Sequence, residues 1–163
     1  MERREGIRGS SLRREEPPAN PASPTMYGLL GLLLGLPHTL RSEAELAGLV
    51  ESGLSVGAVH TLRSRIGLSD AEVSDLIAPR RTLARRASLH QPLSRQEADG
   101  AVRLGRITAR AQQVFAGKPD YVGEWLRTAN SSLNDRTPLQ TLATDPGARA
   151  VEELLIAVDC GMF

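Results

Sequence analysis

Three Ser-x-x-Glu signatures limit what this chain can fold into: Ser42-Glu43-Ala44-Glu45, Ser69-Asp70-Ala71-Glu72 and Ser94-Arg95-Gln96-Glu97. In such a capping box the Ser oxygen accepts an early helical N–H and the Glu reaches back to the Ser N–H, so each box fixes a helix start. Apolar residues follow at three- and four-residue spacing: Leu46, Leu49 and Val50 after the first box, Val73, Leu76 and Ile77 after the second. Gly53 and Gly67 supply stops, and Ser55 can cap an intervening helix through Val56, Val59, Leu62 and Ile66. The third box opens the longest helix, expected to reach about Ala116 with Ala101, Leu104, Ile107, Ala111 and Val114 inward. Further helices are expected around Pro119–Arg127, at Pro138–Leu142, and from Asp145, capped by Thr144, to about Val158. No period-2 strand pattern or internal repeat competes, so the fold class is all-α.

Composition agrees with short, closely packed helices. Apolar residues make up 40% of the 163 residues, but only two Phe, two Tyr and one Trp are among them. The core must be built from Leu, Ala, Val and Ile. The single cysteine, Cys160, excludes an internal disulfide framework and a Cys-based zinc site, and is expected to be packed near the C-terminus. Residues 1–25 are charged and rich in Pro and Ser with almost no large apolar side chain. They cannot offset their ordering entropy, so a disordered basic tail is expected. The apolar run from Tyr27 to Pro37 is too short and Gly-broken to span a bilayer, and reads as a packed arm or short helix. No membrane partner and a cytoplasmic location are expected.

Charge is uneven. Residues 80–110 hold eight arginines against Glu97 and Asp99, while the segments 17–79 and 111–163 each carry a net −3. A solvated helix face usually mixes signs, so this cationic band favours a polyanion partner. Pro79 breaks the chain between the helix ending at Ile77 and the strongly basic helix from Arg80. Two short helices joined by a tight break, the second basic, form a helix-turn-helix pattern. Ser69–Ile77 would be the supporting helix and Arg80–Ala87 the recognition helix, with Leu83 and Ala87 packed under Val73 and Leu76. Arg80, Arg81 and Thr82 are then placed for base edges, where Arg can hold guanine bidentately. Arg85 and Arg86 lie further along and would meet phosphates. Four such arginines imply a salt slope of about −3 to −4. The alternative is that these arginines are solvated or paired with the acidic flanks.

His38, His60 and His90 are scattered, with no carboxylate or Cys at metal-ligand spacing, and no phosphate loop follows a strand. No catalytic residue, metal site or cofactor is expected, and the chain reads as a non-enzyme.

The segment Leu68–Phe115, with Arg81-Thr82-Leu83, Arg85-Arg86, Leu93-Ser94, Glu97, Arg103 and Arg106, resembles the antitoxins of RES–Xre type toxin–antitoxin systems, the family that includes ParS and MbcA antitoxins. The C-terminal half extends the resemblance through Trp125-Leu126, Pro138-Leu139, Thr144, Gly147-Ala148, Val151-Glu152, Leu155 and Gly161, so that it covers about residues 45–163. It implies an Xre-like helix-turn-helix module followed by a small helical toxin-binding domain, placed here at 26–110 and 111–163. It further implies repression of the chain's own operon, and a RES-domain toxin that degrades NAD or transfers ADP-ribose from it, whose active site the antitoxin blocks. A homodimer, a hetero-oligomer with toxin and binding to operator DNA follow. Trp125, Leu126, Gly161, Met162 and Phe163 would bind toxin. Read alone, Trp125 is the domain's one large core side chain, while Met162 and Phe163 either plug a partner's cleft or fold back. Gly100 stands where relatives commonly carry Arg, which puts any contact of that Arg in doubt. The competing function is a stand-alone helix-turn-helix transcriptional regulator whose C-terminal helices only dimerise.

Overall fold

The computed structural model describes residues 25–116 and 118–162. They form nine α-helices: α1 (Met26–Leu33), α2 (Glu43–Ser52), α3 (Val56–Ile66), α4 (Asp70–Leu76), α5 (Arg80–Ser88), α6 (Arg95–Val114), α7 (Pro119–Arg127), α8 (Pro138–Thr141) and α9 (Asp145–Asp159). A 3₁₀ turn at Ser131–Leu133 lies between α7 and α8. Among the described residues there is no strand, only an isolated bridge between Asn130 and Arg136. The tail reading for residues 1–25 falls, but for Thr25, outside the described residues.

Helix starts obey local chemistry. Ser69–Glu72 and Ser94–Glu97 are complete capping boxes, as is Thr137–Gln140, which the sequence reading did not single out. The Ser42 box is only half formed. Ser42 Oγ accepts the Glu45 N–H, but the Glu45 carboxylate takes the Arg41 N–H at 2.9 Å rather than that of Ser42. Ser55 precedes α3 without a side-chain cap bond. Gly67, in left-handed geometry, ends α3, and Gly161 (φ +66°) follows α9.

The core is organised around α6, which packs on α1, α2, α3, α4, α7 and α9. Small side chains make this possible: Ala98, Gly100, Ala101, Gly105, Thr108, Ala109 and Ala111 are all buried along it. The apolar run does form a packed arm. Leu30, Leu33 and Leu34 of the α1 region are buried, and a Cβ on Gly105 would sit 2.7 Å from Leu30 Cδ1. Gly105 is therefore the notch that admits α1. Gly100 admits α4 in the same way, because a Cβ there would collide with the Leu76 carbonyl oxygen. An arginine at position 100 has no room beside this α4, so the glycine is a packing requirement of this chain. The expected boundary between residues 110 and 111 falls within α6, with no linker: one continuous helix serves both halves.

Candidate nucleic-acid and partner interfaces

After α4, Ile77 and Ala78 both donate to the Val73 carbonyl, and Pro79 turns the chain into α5, where Thr82 and Leu83 donate back to the Pro79 carbonyl. Leu83 is buried, as are Val73, Leu76 and Ala78, within the same hydrophobic core, and α4 and α5 touch. Ala87, expected to share that side, is exposed. What holds the second turn of α5 instead is Arg86. Its Nε lies 2.7 Å from Glu97 Oε2, and its Nη1 donates to the Pro92 carbonyl at 3.2 Å. The Nε–H is not directed at the carboxylate in good hydrogen-bond geometry, so the contact is ionic. Glu97 is itself buried and accepts the Ser94 N–H at 2.7 Å. One carboxylate thus caps α6 and anchors α5. Arg86, expected among the phosphate contacts, is drawn toward this buried carboxylate and ties α5 to the start of α6.

Arg81 and Arg85 are exposed and make no ion pair among the described residues, and Thr82 is half-buried between them. Arg80 lies 3.3 Å from Asp70, but its side chain is 82% exposed, and Asp70 also holds Arg63 at 2.5 Å. Arg81, Thr82, Arg85, Arg86 and Gln91 line a notch of about 360 Å³, wide enough for an anionic oxygen group. The rest of the cationic band is largely neutralised. Arg103 pairs with Asp145, Arg106 with Glu43 and Arg110 with Asp159, so the acidic flanks supply partners to much of the band.

In the C-terminal half, α7 begins at Pro119 and buries Val122 and Leu126 one turn apart. Leu126 is 0% exposed, so the expectation that it contacts a partner gives way to a core role. Trp125 is half-buried and packs its ring 5.5 Å from that of Phe115, which meets Tyr121 edge-on at 5.0 Å. Tyr121, 52% exposed, was not singled out by the sequence reading, although its four-residue spacing to Trp125 places both on one side of α7. After α9 the Met162 N–H bonds the Ala157 carbonyl across Gly161, which leaves the Met162 side chain 64% exposed. Phe163 lies outside the described residues. Cys160, expected to be packed, is exposed, because it follows the last helical turn on the solvent side.

Among the described residues no group of three or more His, Cys, Asp or Glu could hold a metal ion, and no helix is long and apolar enough to cross a membrane.

Comparison with known proteins matches residues 45–106 to the Antitoxin Xre-like helix-turn-helix domain, which includes α3 to α5. Residues 110–161 match the Antitoxin Xre/MbcA/ParS C-terminal toxin-binding domain. An Antitoxin Xre of Pseudomonas putida is 34% identical over 129 residues, 79% of this chain and 79% of that protein. With a helix-turn-helix unit followed by a toxin-binding unit, and a relative of this similarity spanning both, the chain belongs to the Xre/MbcA/ParS antitoxin family.

Proposed function

We propose that this antitoxin neutralises a RES-domain toxin by covering its NAD-using active site, and represses its own operon by laying α5 in the major groove. The observation that carries the reading is the coexistence, in one chain, of a basic second helix that leaves Arg81 and Arg85 unpaired among the described residues and a toxin-binding domain followed by an exposed Met162. Arg80, Arg81 and Thr82, at the N-terminal end of α5, read base edges, and Arg85 meets a phosphate. Arg86 holds the helix in place from within. Gly161 stops α9, and Met162 and Phe163 bind in the toxin's cleft, where Met and aromatic side chains suit an interface core. Trp125, with Tyr121 beside it, supplies the flanking contact. The helix-turn-helix module spans residues 26–110 and the toxin-binding domain 111–163. The antitoxin acts in the cytoplasm as a homodimer and assembles with its toxin. Dimer half-sites then lie about one helical turn apart.

The test is to express the adjacent reading frame with and without this chain and to follow growth and cellular NAD. Growth arrest that this chain relieves supports the antitoxin role. A fall in NAD marks a degrading toxin, and steady NAD marks protein modification. A harmless neighbour, or arrest that this chain does not relieve, overturns the toxin-blocking reading.

A further inference from the structure

The guanidinium of Arg127 lies in the C-terminal unit, yet three of its four hydrogen bonds reach the helix-turn-helix unit. Nε donates to Glu72 Oε1 at 2.9 Å, Nη2 to Glu72 Oε2 at 3.0 Å, and Nη2 also to the Gly67 carbonyl at 3.0 Å. Nη1 donates to the Gly123 carbonyl on its own helix at 3.0 Å, which fixes the fork from behind. The two parallel bonds to one carboxylate are the geometry that a planar guanidinium offers and an ammonium does not. Gly67 ends α3, and Glu72 lies in the first turn of α4. Glu72 Oε2 also accepts the Ser69 N–H at 2.7 Å, so the carboxylate that closes the capping box of α4 is the one Arg127 holds.

The two units share α6, which packs on α4, α7 and α9, and Arg127 adds a direct polar link from α7 to the α3–α4 corner. A cleft of about 520 Å³ opens beside the clamp, with Asp75 and Leu76 on the α4 side and Arg136, Leu139 and Gln140 on the α8 side. The body of α4 packs on α5 and α6. Across the cleft, the Arg127–Glu72 clamp is a polar tie between α4 and α7. Helix α5 packs on α3 and α4 and is tied to α6 by Arg86, so the α3–α4 corner that Arg127 grips is part of the seat that places Arg81 and Arg85.

We infer that Arg127, a residue of the toxin-binding domain, is a positioning residue for DNA recognition: through Glu72 and Gly67 it sets the angle of α4 and hence the placement of α5. The inference rests on the DNA-reading role proposed for α5. It makes operator affinity a property of both domains, with a contribution from a side chain that touches no DNA.

The test uses the full chain and a double-stranded fragment spanning the sequence immediately upstream of its own gene, titrated at several salt concentrations. Arg127→Ala and Glu72→Gln should each weaken binding about three- to thirtyfold, the size of coupling within one ion-pair network. The double variant should be no weaker than the stronger single. The slope of log affinity against log salt should stay at the wild-type value, because no phosphate contact is lost. Arg127→Lys, which keeps the charge but not the fork, should fall between. Should Arg127→Ala fail to fold, Glu72→Gln and Arg127→Lys carry the test, since Gln can still accept the Ser69 N–H. Unchanged affinity in the variants, beside a wild type that binds, overturns the clamp alone. A slope shallower by about 0.9 on losing Arg127 would make it a phosphate contact and overturn the positioning role. A wild type that ignores the fragment overturns the DNA reading, and the clamp's role with it.

Discussion

Helices α5 and α6 carry four arginines each and lie next to one another in sequence, yet the fold treats them differently, Arg95 in the exposed first turn of α6 aside. On α6, Arg103, Arg106 and Arg110 each meet a carboxylate on another helix: Asp145, Glu43 and Asp159. On α5, Arg86 alone is drawn inward, Arg80 shares Asp70 loosely, and Arg81 and Arg85 face solvent. The difference is one of position. Helix α6 is central and, beyond its exposed first turn, meets neighbours on most sides, whereas α5 presents one face to the core through Leu83 and leaves the other open. A run of arginines is therefore evidence of an anionic partner only for the members that the fold leaves without an acid.

The sharpest way to break the contrast is to give α6 another arginine. Gly100→Arg would drive a side chain into the Leu76 carbonyl and should destabilise the protein by about 3 kcal/mol or more, toward the upper end of overpacking costs. Urea unfolding monitored by circular dichroism would show it as a lowered midpoint, and a midpoint matching the wild type would refute the close α4–α6 approach. Next in size, Arg86→Ala should cost about 1–3 kcal/mol, because it strands the buried Glu97 carboxylate. The same change at Arg85 should leave the midpoint within about 0.5 kcal/mol, as at most exposed sites. In DNA titrations the order inverts. Arg85→Ala should make the salt slope shallower by about 0.9, and Arg86→Ala should leave it unchanged. With Arg86 engaged internally, Arg85 is the phosphate contact left on α5, and the slope this helix contributes per subunit drops to about −0.9. Arg106→Ala, which removes a partly exposed pair, should cost only about 0.2–1 kcal/mol and leave DNA affinity as it was.

The smallest effect concerns pH. Burial alone would raise the Glu72 carboxyl, but the hydrogen bond from Arg127, the Ser69 N–H and the Arg127 charge outweigh it, and the net direction is below the ordinary 4.5. A carboxylate lowered on folding adds stability that is present above its unfolded value, and this is lost as pH falls below about 4.5 through the folded value. Glu72→Gln should therefore flatten part of the acid limb of a stability–pH profile while leaving its shape near neutrality unchanged. An unaltered acid limb would count against the Arg127–Glu72 pair in solution.

Much of this architecture was legible before any coordinates. The Ser69 and Ser94 boxes, the Pro79 break, the Gly67 and Gly161 stops and the extents of α5, α7 and α9 all came within a residue or two of the observed positions. These are decided by groups within four residues of one another, and the chain carries that information locally. Where the reading failed, either a competing local donor or the packing of the folded chain decided. Glu45 left its box for the Arg41 N–H, Leu126 sank into the core while Tyr121 stayed out, and Cys160 came to the surface.

What the sequence by itself determined, then, is the all-α class, the punctuation of its helices, and the two-part family pattern. Only the tertiary structure decided which arginines are available to a ligand, why position 100 must be glycine, and that Arg127 answers to Glu72. The reason is distance along the chain. The ion pairs that neutralise α6 join residues 42, 63 and 49 positions apart, and the Arg127 clamp spans 55. Whether such charges meet depends on packing angles set by the notches at Gly100 and Gly105, which no local pattern of residues encodes.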